Sequence, residues 1–118
     1  MHGILNLENL KNKISSFVKE NCLDGVLISD SEGFPIVFYS LFYIDEDRLS
    51  ADLSSFFSFI DINDERPLFF KFNRGYVVAS TLGSEYRIVI FAPESVKLNR
   101  SLVLLRDLKL NLQQLIDG

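Results

Sequence analysis

Two groups of acidic residues are the side chains best placed, by type and spacing, to do chemistry. Asp45, Glu46 and Asp47 are consecutive, and Asp61, Asp64 and Glu65 lie at the far end of the helix that follows them. Grouped carboxylates are the ligands that hard cations such as calcium and magnesium use. The first group has a simpler account, because three acids at a helix start meet unpaired N–H groups and the positive end of the helix dipole. The second group gains nothing from the dipole at a C-terminal end, which leaves solvation or contact with a partner. No metal site is assigned to either.

Nucleophilic and acid–base chemistry has little to work with. The one histidine, His2, stands near a chain end, where fraying is common, so Ser–His and Cys–His mechanisms lack a held base. The single cysteine, Cys22, falls where the first helix ends, whereas reactive thiols sit at electropositive helix N-termini. It is expected to act as a small buried or half-buried hydrophobe. The six glycines, at positions 3, 25, 33, 75, 83 and 118, match neither phosphate-loop nor dinucleotide-binding spacing. The sequence therefore predicts no catalytic residue, no metal and no cofactor on this chain.

Charge and hydropathy narrow the partners. A net charge of −4 argues against nucleic acid, whose phosphates require clustered Lys and Arg. Lys11, Lys13 and Lys19 are instead spread along one helix, and Arg87, Lys97, Arg100, Arg106 and Lys109 alternate with apolar residues. The longest nearly apolar run, Phe34 to Ile44, contains Pro35 and Ser40 and falls short of the roughly 20 residues that span a bilayer. No membrane insertion is expected. The first ten residues lack the basic start and apolar core of a signal peptide, so the expected location is cytoplasmic and the sequon Asn99, Arg100, Ser101 is a chance match.

The elements that position these side chains can be read from periodicity. Leu7, Leu10, Ile14, Phe17 and Val18 share one helical face over about residues 6–21. Two apolar runs joined by Asp30, Ser31, Glu32 and Gly33 form a β-hairpin, in which Asp30 bonds its own following backbone and Gly33 supplies a positive φ. Neither run alternates cleanly, so both strands are expected to be buried on two faces. A middle helix should run from the Asp45 group to about Ile62, where Arg66 and Pro67 break the pattern. Three short β-rich runs follow, Leu68 to Phe72, Tyr76 to Thr81 and Tyr86 to Phe91, with links short enough to require an antiparallel meander. Pro93 ends the last strand. Leu98, Leu102, Leu105, Leu108, Leu112 and Leu115 then mark a C-terminal helix capped by Ser95 or Asn99. The order is α-β-β-α-β-β-β-α, read as one α/β (α+β) domain over residues 1–118: a five-stranded antiparallel sheet with the terminal helices on one face and the middle helix on the other.

Two features point to a partner. In the middle helix, Leu49, Leu53, Phe56 and Ile60 form a stripe, with Phe57 and Phe59 roughly 80° to either side of it. The face opposite carries Ser50, Ala51, Ser54, Ser55 and Ser58, small enough for another backbone to approach. The third strand, Leu68, Phe69, Phe70, Lys71, Phe72, is aromatic and can lie at a sheet edge, where unpaired backbone groups invite another chain. The predicted interface is Ser54, Phe57, Ser58, Phe59, Leu68, Phe70 and Phe72. The alternative is a helix sunk in its own monomer beside an interior strand.

Gly25 opening the first strand, Asp30 and Gly33 three residues apart at the turn, and the following Pro35–Ile36 pair resemble the Roadblock family, named after the dynein light chain. The element order extends the resemblance over essentially the whole chain; longin-like, profilin-like and sensory PAS-like domains have related layouts. The resemblance implies a non-enzymatic module that scaffolds or regulates small Ras-like GTPases, with the middle helix and third strand building a dimer with itself or with another Roadblock-like chain. The competing reading is a PAS-like or profilin-like sensor that encloses a small molecule among the eleven Phe side chains.

Overall fold

The computed structural model describes residues 6–41, 68–72, 75–83 and 85–117. The predicted middle helix and both acidic groups lie outside the described residues, as do the turn residues Asn73, Arg74 and Ser84.

Helix α1 spans Leu7–Glu20. Asn6 caps it by accepting a bond from the Asn9 amide at 3.1 Å, which satisfies one of the donors a helix start leaves open. Leu10, Ile14 and Val18 are fully buried, as the periodicity predicts, whereas Leu7 in the first turn is 49% exposed. At the other end the Leu23 amide donates to the Val18 carbonyl at 3.1 Å, the six-to-one bond of a Schellman turn. That closure requires a left-handed residue between them, and Cys22 takes it with φ 57°. Cys22 is exposed, against the expectation of a buried hydrophobe. The turn throws Leu23 into the core in its place. An L-residue pays about 1 kcal/mol for this conformation, so Cys22→Gly is expected to stabilise the chain by about that amount in urea melts.

Strands β1 (Gly25–Asp30) and β2 (Pro35–Ser40) form the expected hairpin. The Asp30 carboxylate accepts the amides of Glu32 and Phe34, both at 2.9 Å, and Gly33 holds φ 97°. The pairing slips between Ile28 and Ser29, which accommodates the turn. β1 is buried on both faces. β2 is not: among its six residues only Val37 is buried. Its unbroken apolar run belongs to an edge strand, half covered on each side.

Strands β3 (Leu68–Phe72), β4 (Gly75–Leu82) and β5 (Tyr86–Pro93) make the meander. β5 then pairs with β1, so one antiparallel sheet runs β2-β1-β5-β4-β3, with β2 and β3 at its two edges. Helix α2, Leu98–Asp117, closes the chain. It starts one residue after Lys97, whose carbonyl accepts the Ser101 amide at 3.0 Å, so neither Ser95 nor Asn99 occupies the capping position. Ser101 is buried in the first turn and turns its hydroxyl onto the Leu98 carbonyl at 2.7 Å.

Both described helices cover the same face, α1 over β2 and β1, α2 over β4 and β5. The core there joins Leu10, Ile14 and Val18 of α1 to Val26, Ile28, Val78, Ile88 and Ile90 of the sheet and to Leu104, Leu105, Leu108 and Leu112 of α2. On the other face Leu27, Val77, Ala79, Val89 and Phe91 form a second buried cluster. Phe38 meets Phe91 there edge to face, with ring centres 6.2 Å apart. The described residues thus form an α+β fold with helices packed on an antiparallel sheet.

Candidate interaction surface

Among the described residues β3 pairs on one side only, with β4, in the register Leu68 to Ala79, Phe69 to Val78, Phe70 to Val77, Lys71 to Tyr76 and Phe72 to Gly75. Its outer row of backbone groups faces away from the sheet, and nothing charged interrupts it except Lys71. Such an edge is a template for another strand. Of the predicted interface residues, Leu68, Phe70 and Phe72 occupy alternate positions of this strand, while Ser54, Phe57, Ser58 and Phe59 lie outside the described residues. Phe69 belongs to the same aromatic run but is not among the predicted interface residues. It stands opposite Val78, on the face that carries the terminal helices, and is 54% exposed because α2 packs over β4 and β5 and stops short of it.

Gly75 fixes how closely β4 can follow this edge. A Cβ there would collide with the Ala92 carbonyl of β5, so only glycine lets β4 begin beside Pro93. Gly75→Ala is expected to cost about 1–3 kcal/mol, read as a lower denaturation midpoint, since backbone has to move to make room.

Arg87 introduces charge on the sheet face away from α1 and α2. It stands between Ser29 of β1 and Thr81 of β4, its Nη1 donates to the Tyr86 carbonyl at 3.4 Å, and its buried Nε has no hydrogen-bond partner among the described residues. The helix-covered face has its own polar contact: Lys109 of α2 donates from Nζ to the Oγ of buried Ser80 at 3.0 Å. The sequence carries a signal for this pair, a serine inside the apolar run of β4, but its partner lies twenty-nine positions away and no local pattern connects them. Among the described residues no helix is long and apolar enough to cross a membrane.

No family model matches the sequence, and no curated protein matches it. Its fold is that of solved structures. The gliding protein MglB from Thermus thermophilus superposes with a TM-score of 0.76 at 12% identity, covering 98% of this chain and 93% of that one. The Roadblock/LC7 domain from Streptomyces avermitilis gives 0.71 at 16% identity, over 86% of this chain and 96% of that one. Profilin IB of Acanthamoeba castellanii follows at 0.63 and 11% identity, covering 88% and 96%. The chain has a Roadblock fold, as the hairpin and element order lead one to expect, and the profilin likeness reflects the related layout.

Proposed function

We propose that this chain is a non-enzymatic interaction module that pairs with a second copy through β3 and scaffolds or regulates a small Ras-like GTPase. The observation that carries the reading is the edge of β3, aromatic in sequence and paired on one side only among the described residues. Pairing two such edges about a two-fold axis makes one continuous sheet and removes both liabilities at once. The likeness of the fold to MglB and to Roadblock/LC7 domains supports the family resemblance on which the GTPase class rests. In this reading Ser54, Phe57, Ser58 and Phe59 extend the interface that Leu68, Phe70 and Phe72 begin, and the small serines let two helices approach closely.

The test has two stages. Sedimentation equilibrium at micromolar concentration is expected to give twice the chain mass, and a monomer would remove the dimer. The tagged dimer, incubated with native cytoplasm loaded with a non-hydrolysable GTP analogue, is then expected to retain a small GTPase identified by mass spectrometry. A dimer that retains none would remove the regulatory role.

A further inference from the structure

We propose that the groove between α2 and the end of β4 docks an acidic, amphipathic helix of a partner protein. This goes beyond the GTPase reading, because the groove belongs to a single chain and lies on the face of the terminal helices.

Among the described residues α1 takes the β2 side of the sheet and α2 lies over β4 and β5. Between α2 and the end of β4 runs a partly open groove of about 550 Å³, bounded by Ser80, Thr81 and Gly83 and by the flank of α2 that carries Leu102, Leu105, Arg106, Lys109 and Leu110.

The lining specifies the occupant. Leu110 is 61% exposed, off the buried stripe of its own helix, and Leu102, two turns earlier with Arg106 midway, is half-buried. Two cations, Arg106 and Lys109, rise from the same flank, and among the described residues no carboxylate lines the groove, although the chain as a whole has net charge −4. Lys109 is held in place by its bond to Ser80, which keeps its charge at the groove floor. Two leucines about two turns apart with cations between them are complementary to a helix with large apolar residues at heptad spacing and carboxylates between them.

The probe is a fluorescein-labelled helical peptide with Leu at heptad positions and Glu between them, set against one with Lys in place of Glu and one with Ser in place of Leu. Fluorescence anisotropy is expected to show the acidic Leu peptide binding one per chain, about tenfold tighter than either comparator, with amide shifts at Gly83, Leu102, Arg106 and Leu110. Arg106→Glu and Leu110→Glu both change exposed side chains and are expected to weaken it about tenfold each, with circular dichroism and sedimentation unchanged. Equal binding of the acidic and basic peptides, shifts away from the groove, or variants that bind like the unaltered chain would overturn the proposal. So would equal binding of the Ser peptide, which would show a site for charge alone. None of these outcomes depends on whether β3 pairs or a GTPase is retained.

Discussion

Phe70→Asp is expected to turn the dimer into a folded monomer. Phe70 stands opposite Val77 in the middle of β3, at the edge of the described sheet. In a two-fold interface every substitution occurs twice, so two carboxylates are placed at one apolar seam. Moving a charge into such a seam costs several kcal/mol per site, and about 4 kcal/mol in total already weakens the dimer roughly a thousandfold. Sedimentation velocity reads the mass and far-ultraviolet circular dichroism reads the fold. Phe69→Asp is the comparator, because Phe69 is already 54% exposed on the other side of the strand, and it is expected to keep most of the dimer. Loss of folding in the first variant with no monomeric intermediate would place Phe70 in its own core and take β3 out of the interface.

That contrast depends on alternation along a strand, which the sequence displays well in some places and hides in others. The hairpin was legible because its signals are local: Asp30 reaches amides two and four residues on, and Gly33 needs a backbone conformation that few other residues accept. The meander was legible for a similar reason, since links of a few residues permit only antiparallel neighbours. Burial was harder to read. β1 and β2 have equally apolar sequences, yet one is central and the other lies at an edge, and only the long-range pairing of β1 with β5 separates them. Cys22 was misplaced because its position follows from closing the helix end, where the demand for a left-handed residue outweighs hydrophobicity.

The candidate surfaces divide in the same way. The aromatic run of β3 could be flagged from composition, and its edge position follows from element order. The groove beside α2 could not, since it arises where the flank of one helix meets the end of β4, a long-range packing that no local run of residue types announces. Its one sequence signal is Leu110, an apolar residue two positions from both Leu108 and Leu112 and therefore outside the buried helical period.

Leu108 tests this division from the inside. It is 1% exposed and belongs to the cluster joining both helices to the sheet, whereas Arg106 and Leu110, two residues to either side, face the groove. Leu108→Ala removes three buried carbons and leaves a cavity that packed neighbours fill only in part, at a cost of about 2–5 kcal/mol. A loss of about 3 kcal/mol should lower the melting temperature of a chain this size by roughly 10–15 °C in calorimetry. Docking of the acidic peptide below the new melting point is expected to persist, because the groove flank of α2 keeps its cations and its exposed leucine. Arg106→Glu should do the opposite, leaving the melting temperature within about a degree or two and weakening the docking, because it changes an exposed side chain and no packed one. A helix on which neighbouring positions separate in this way holds the fold with one face and presents a surface with the other. If both substitutions lower stability alike, α2 is core all round and the groove is only the margin of its packing.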